Sequence, residues 1–544
     1  VKVELKRAQL DGDFEVGGDL ALNYNDINQA TTIAGDLRIT NNNFAALVYL
    51  SEQKSDDYKD ADGHRVKSTQ YDKQQYGLDL RYGDDAWNIG TTWHHASTQN
   101  SGTPALPMDI DFIESDRYNL DGQLYLNNWQ INWQLGYQDA THGMDNFKQR
   151  KNMMMDMYRV NTADATTFDY KIIMNQGDWL WGFEGFDADH NSLITNPNAT
   201  MFKIDNFKNV KDARHSFVAQ WSTNTGVHSH TLGVRIKQNY ADADNVIHSM
   251  SMMNPNIMAL QNEFNQQDKN ISDTTTDISI NNRYQWSDST LINYGVGIKQ
   301  RAASYQERYL WVPMQATGGL ADGKTYVGNI NLEAETAYQI DLGISYERNG
   351  FSIAPHIFYQ KIHDYIQGTP SMDMRVKMIA GMMNDTSPLV FTNIDAKLYG
   401  ADVNWQFPIN QHFKLSGIAS YVRGTREDNN DDLYRIMPLN TRFNLHYQQG
   451  TWQSNLAIHF YHKQSHVSQL SNEKASKGYM VIDWQCDYFI SKGGVARLGV
   501  NNLLNKQYND HLNGINRAAG SDIAVGSKMP AMGRNVYLAI DYQF

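Results

Sequence analysis

The clearest signal along the chain is alternation. In the C-terminal stretch Val536, Leu538, Ile540, Tyr542 and Phe544 interleave with Tyr537, Ala539, Asp541 and Gln543. A period of two puts one set of side chains on each face of an extended strand. The pattern recurs at Met480–Ile490, at Phe443–Tyr447 and at Tyr338–Tyr346. A soluble sandwich produces the same alternation, so the connections decide between the two. They alternate in length. Short turns fall near 41–43, 84–86, 127–128, 176–178, 223–227, 286–290, 347–350, 408–411, 449–451 and 491–494. A brief connection lies at 25–30. Long polar excursions lie near 52–73, 97–116, 140–165, 185–212, 241–272, 301–335, 362–390, 425–437, 466–477 and 509–530. Short turns at one end and long loops at the other characterise a transmembrane barrel. Counting from residue 14 gives 22 strands. The expected fold is all-β, a 22-stranded antiparallel transmembrane β-barrel over 14–544, with residues 1–13 left over as a strand and linker.

Composition narrows the picture. The 544 residues carry 47 Lys+Arg against 60 Asp+Glu, a net charge of −13 that argues against nucleic acid. The single cysteine, Cys486, excludes an internal disulfide or a thiolate zinc site. It shares a face with Met480, Trp484 and Ile490 and reads as an apolar, lipid-facing packing residue. No stretch of about 18 apolar residues occurs, so no membrane helix is expected. The 31 Tyr and 12 Trp suit aromatic girdles at two interfaces. The chain opens at Val1 without an initiator Met, as a processed or truncated chain would.

Thioethers supply the candidate chemistry. Of 22 Met, 13 fall in three segments: Met153, Met154, Met155 and Met157; Met250, Met252, Met253 and Met258; Met372, Met374, Met378, Met382 and Met383. All lie in expected long loops or adjoining strand tops. Spacings of two, as in Met153/Met155/Met157, Met250/Met252 and Met372/Met374, would project to one side of an extended chain. Thioether sulfur is a soft neutral ligand that favours Cu(I), and an uncharged site costs less to desolvate than a carboxylate site. His142 beside Met144 and His248 beside Met250 would add imidazole nitrogen. The alternative is that flexible Met simply fills irregular loops. Asp56–Gly63 resembles half a calcium loop but lacks the closing Glu; it and Glu427–Asp432 read as exposed acidic loops. No nucleophile triad, phosphate loop or paired-carboxylate motif stands out, so no enzyme is expected.

Two passages carry a family resemblance. Gly499-Val500-Asn501-Asn502-Leu503-Leu504-Asn505 resembles the penultimate-strand motif of TonB-dependent outer-membrane receptors, and Asn331–Glu335 followed by Asp341-Leu342-Gly343 resembles a second motif of theirs, with Asp341 in place of a Glu. Twenty-two strands is the size of a plugged transporter. Residues Val1–Arg7 look like the last strand of the family's plug, which is otherwise absent, as is the TonB box. Either the chain is a piece of a longer one or it is a plugless pore. Thr103–Asp109, Arg308–Met314 and Met372–Asn384 resemble the copper-receptor subfamily. The resemblance implies a Gram-negative outer-membrane importer for copper or a copper complex, with TonB as energy partner, lipid and lipopolysaccharide as surroundings, and copper as substrate rather than cofactor. The metal candidates are then Met153, Met155, Met157, Met250, Met252, Met253, Met372, Met374, His142 and His248. Two other readings stay open. One is a receptor for a siderophore or other organic cofactor, in which Arg308 and Trp311 would matter more; the other is a passive pore or phage-docking barrel.

Overall fold

The structure is a computed structural model describing residues 7–10, 12–314, 322–490 and 493–544. One sheet contains every strand of the described residues. Apart from the two-residue piece Tyr326–Val327, the strands pair antiparallel with their sequence neighbours, which makes a 22-stranded barrel. It closes where Glu15–Asn25 pairs with both Ala30–Thr40 and the last strand, Asn535–Gln543, in a register running from Asp19 opposite Gln543 to Asn25 opposite Tyr537. Closure gives the edge backbone groups partners, so no strand is left as an open edge. Among the described residues no helix is long and apolar enough to cross a membrane.

The alternation sets which way each strand faces. Leu20, Leu22 and Tyr24 point outward and are exposed. So are Val48 and Leu50 two strands along, and Leu538, Ile540 and Tyr542 across the seam on the closing strand. Polar partners such as Asp79 and Thr92 face inward and bond to each other. Cys486 lies on the outer face opposite Leu498, in the same alternating set as exposed Met480 and Tyr488.

The turns fall where the pattern put them. Asn349 and Gly350 both adopt positive φ (53° and 78°), the geometry of a tight hairpin that suits strand twist. The turn at 491–494 lies partly outside the described residues. One expected loop is not a loop. Over 185–212 the chain stays in strand, Trp179–Asn196 returning as the 27-residue Ala199–Thr225 through a turn at 197–198. Three register shifts between these strands hid the alternation that would have revealed the hairpin.

Among the described residues three α-helices break the long connections: α1 (Pro255–Gln266), α2 (Tyr305–Tyr309) and α3 (Met374–Met382). Beneath them lies the main apolar cluster, Val210, Val246, Phe264, Tyr309, Trp311, Val312 and Ile330. Thus the loops share a packed layer above the barrel rather than waving separately. Buried Arg308 fixes this layer, donating to the Ile330 carbonyl at 2.7 Å and pairing with Asp273 at 2.6 Å.

At the inner wall, Ala8 and Leu10 pack on Ala45, Leu47 and Tyr49. The Ala8 N–H donates to Asp79 at 2.9 Å, and Arg7 pairs with Asp121 at 2.7 Å. Residues 7–10 are irregular. The remainder of the expected leftover strand, Val1–Lys6, lies outside the described residues.

Closure makes the seam testable. A Cβ at Gly18 would lie 2.3 Å from the Asp36 carbonyl and 2.7 Å from the Phe544 ring. Gly18 and Phe544 also exchange two backbone hydrogen bonds at 3.0 Å. Replacing Gly18 by Val is therefore expected to open the seam. The gel-mobility shift between unboiled and boiled protein should be lost or its midpoint lowered sharply, while Gly177→Ala, at a roomy turn (φ +56°), should keep the shift at modest cost.

Candidate functional site: a methionine rim

The first methionine segment follows Trp129–Asp145. Met155–Met157 form one short 3₁₀ turn. The tip of the long hairpin holds it: Asn196 Nδ2 donates to the Met155 and Asp156 carbonyls at 3.3 and 2.9 Å. The Arg159 guanidinium then lies 3.9 Å over the Phe202 ring, a cation–π contact that ties the turn to the hairpin.

The second segment docks on the other side of that hairpin. Lys203 and Ser249 exchange hydrogen bonds, with the Ser249 N–H donating to the Lys203 carbonyl at 2.9 Å and the Lys203 N–H donating to Ser249 Oγ at 3.0 Å. Buried His248 stands edge-on to Phe202 and Trp311, and its Nδ1 accepts the Met250 N–H at 3.1 Å. Burial and the nearby Arg159 push its pKa down to about 4. The ring is thus held neutral and one nitrogen is used to shape the turn. Asn254 then caps α1 through Oδ1, which accepts the Asn256 and Ile257 N–H groups.

The third segment reaches the rim through helix packing. Ile257 and Leu260 of α1 meet Val376 and Ile379 of α3. Arg375 bridges the two helices, pairing with Glu263 at 2.7 Å and with Asp373, whose carboxyl it holds below the usual range. Asp373 also caps α3 by accepting the Arg375 N–H.

Hairpin, turn and helix pair therefore join all three methionine segments into one arc. The sulfurs lie on its outer surface: Met153 is 82% exposed, Met252 93% and Met372 82%. Met155, Met157, Met250, Met253 and Met374 are also exposed. The reason for their shared orientation differs from the expectation. The spacing of two does not act through extended chain, because Met374 begins a helix and Met155–Met157 lie in a turn. On α3 the stripe is instead Met374, Met378 and Met382, four apart and exposed, opposite buried Val376, Ile379 and Ala380.

His142 stands apart. It lies on the inner wall of Trp129–Asp145, between Ile113 and Ala163, and none of the contacts that join the rim reaches it. Sequence reasoning also missed Met201, 87% exposed at the hairpin tip beside Phe202. A lone Met gives no cluster signal, and the register shifts of its hairpin hide the strand pattern around it.

The acidic loops have structural work. Asp60 is buried and anchors its own turn: Oδ1 accepts the Asp62 and His64 N–H groups, and Oδ2 accepts Gln507 Nε2. Asp60, Asp62 and His64 bring their ligating atoms within 4.8 Å of one another, but the Asp60 carboxylate is already engaged. The run Glu427–Asp432 is not simply solvated. Glu427 pairs with Lys361 and Lys397, Asp428 with Arg426, and Asp432 with Arg423, while Asp431 accepts the Gln469 and Leu470 N–H groups.

A closed barrel of this size, with long loops layered above one end and short turns at the other, defines the class of large outer-membrane transport barrels. Residues 17–503 match the family described as TonB dependent receptor-like, beta-barrel, and the chain belongs to it. Members of that family are outer-membrane transporters and receptors, not enzymes. Among solved structures, the chain is similar to the copper transporter OprC at 18% identity, with a TM-score of 0.83 and coverage of 99% of this chain and 82% of that one. It is similar to the FrpB iron transporter from Neisseria meningitidis at 13% identity, with a TM-score of 0.69 and coverage of 98% and 82%. It is also similar to the siderophore receptor PirA from Acinetobacter baumannii at 12% identity, with a TM-score of 0.66 and coverage of 98% and 81%. At these identities the likeness concerns the fold. No curated protein matches by sequence.

The neutral state of His248 makes the rim sensitive to acid. Its folded pKa, about 4, is below the ordinary 6.5. The opened loop therefore takes up a proton before the closed one does. Loop stability is full above about pH 6.5, falls as the pH drops toward about 4, and is flat below; the full loss is about 3 kcal/mol. The protection factors of amides over residues 243–254, taken against the intrinsic exchange rate at each pH, should fall through that window, and His248→Gln should remove this pH dependence.

Proposed function

We propose that this barrel is a TonB-dependent importer of copper or a copper complex, set in the Gram-negative outer membrane among phospholipid and lipopolysaccharide. The observation that carries this reading is the convergence of three methionine segments, separate in sequence, on one rim above the barrel. A dozen thioethers presented together suit a soft monovalent cation and suit hard cations poorly. Because each ligand is neutral, bound ion keeps its charge and can be released downward without protonation of the site. Likeness in fold to a copper transporter agrees with this reading.

In this reading the exposed sulfurs of Met153, Met155, Met157, Met250, Met252, Met253, Met372 and Met374 take copper from the medium. Exchange between neighbouring thioethers moves it along the arc. His248 supports Met250 by accepting its N–H, while His142, on the inner wall, receives ion that has passed the rim. TonB supplies energy through a plug within the lumen; residues 7–10, held to the inner wall by Arg7 and Ala8, agree with a chain entering from there. No covalent chemistry is done on the substrate.

The iron and siderophore receptors of the same fold keep an organic chelate as the second reading. Its named contacts are weak here. Arg308 and Trp311 are 3% and 4% exposed, and Trp311 Nε1 donates to the Asp205 carbonyl. Both hold the loop layer together rather than face a substrate.

Titrating the purified chain with Cu(I) in a competing chelator should reveal tight binding that Ag(I) displaces and Zn(II) does not. Replacing Met153, Met155, Met250, Met252, Met374 and Met378 with Leu keeps volume and apolarity. That variant should bind at least tenfold more weakly at unchanged barrel stability. Equal affinity would defeat the copper reading.

A further inference from the structure

The outer wall carries charge unevenly. Around Asp109–Leu126 through Trp179–Asn196, outward positions near the loop end bear Glu114, Asp116, Asp139, Asp164 and Asp187. Asp116 even stands directly opposite Asp139. On the far side cations gather, beside one outward acid, Asp395, which His363 pairs at 3.2 Å. Lys361 faces Lys397 across two strands, and Arg423 lies one row below, opposite Tyr399. Like charges in direct opposition destabilise a sheet, so this pair needs a reason. Glu427 compensates it only in part, at 3.5 and 2.8 Å.

Beside Arg423 the wall opens into a crevice of about 230 Å³. Tyr421 and Leu439 supply its apolar surface, and Arg423, His462, Lys463 and His466 its polar one. Among the described residues Lys463 has no carboxylate partner. Asp432 takes Arg423 through Nε at 3.3 Å, which leaves the Nη groups without a carboxylate among the described residues. A guanidinium fork beside an ammonium is the arrangement that binds phosphate oxygens.

Height points the same way. Lys361 follows Phe351, the first residue of its strand, by ten positions. At about 3.3 Å per residue and a tilt of about 40°, that is roughly 25 Å above the short-turn end, close to the thickness of a barrel's apolar band. Exposed Tyr359 and Tyr399 lie one row below Lys361 and Lys397, level with Arg423, and exposed Tyr421 lies one row below Arg423, as a girdle would.

We propose that this arc is a binding site for a phosphate-bearing lipid of the outer leaflet. Its phosphate sits between Arg423 and Lys463, with Lys361 and Lys397 beside it. Its acyl chain lies along Tyr421 and Leu439. With a net charge of −13, the protein as a whole repels anionic headgroups, so retention is local to this arc. The acidic arc across the barrel excludes the same lipid. The inference rests on the outer-membrane reading but not on copper.

The test is native mass spectrometry of the detergent-solubilised chain with added bisphosphorylated lipid A, preceded by flotation on phosphatidylethanolamine vesicles. Wild-type protein should float and retain about one lipid A. Arg423→Glu combined with Lys463→Glu should weaken retention at least tenfold, and Lys463→Ala, in an exposed loop that tolerates change, about threefold. Asp187→Asn should have no effect, and millimolar inorganic phosphate should not displace the lipid. Undiminished retention in both basic-arc variants would overturn the site. So would equal retention of dephosphorylated lipid A, or displacement by free phosphate. A wild-type chain that fails to float would defeat the membrane reading, and the lipid site with it.

Discussion

The whole structure depends on one constraint: a strand's backbone N–H and C=O groups need partners on both sides. Twenty-one consecutive pairings leave two edges, and the pairing of Glu15–Asn25 with Asn535–Gln543 joins them. Once the ring is closed, each side chain has only two options, outward or inward. Leu20 and Ile540 go out; Asp79 and Thr92 go in. The long connections are then confined to one rim, where they bury apolar side chains against one another and against strand tops such as Val210 and Phe391. That is why a layer built on Phe264, Tyr309 and Trp311 forms there.

The rim shows how sequence-distant chemistry is gathered. Met155 reaches Met250 through a hairpin that supplies Asn196, Phe202 and Lys203 as successive links. Met250 reaches Met374 through α1 and α3, held by Ile257 against Val376 and by the Glu263–Arg375 pair. In each case the buried partners are ordinary packing residues, and the methionines are what remains outside. A large exposed apolar surface is normally avoided or functional. Thioethers at that surface give it a chemical preference for soft ions that Leu or Ile at the same positions would lack.

The barrel was legible in the sequence because period two and alternating loop length both survive without any knowledge of partners. Turns such as Asn349-Gly350 announce themselves by residue type. Legibility failed where register shifts interrupt the period, as between Phe207 and Val210, and the hairpin there passed for a loop. The methionine clusters were visible, but their geometry was not. Spacing of two suggested extended chain, whereas Asp373 as a cap and buried Val376 and Ile379 make α3 a helix with a four-residue stripe. The roles of Asp60 and Glu427 depend on partners hundreds of residues or a strand away, Gln507 and Lys397, which no local pattern indicates.

Copper K-edge absorption spectroscopy of the Cu(I)-loaded chain examines the central claim most directly, because it reports the ligand atoms themselves. A shell of two or more sulfur scatterers, lost when the three methionine segments are replaced with Leu, is the predicted result. A shell of only nitrogen and oxygen scatterers, or a sulfur shell that survives those replacements, would contradict the account.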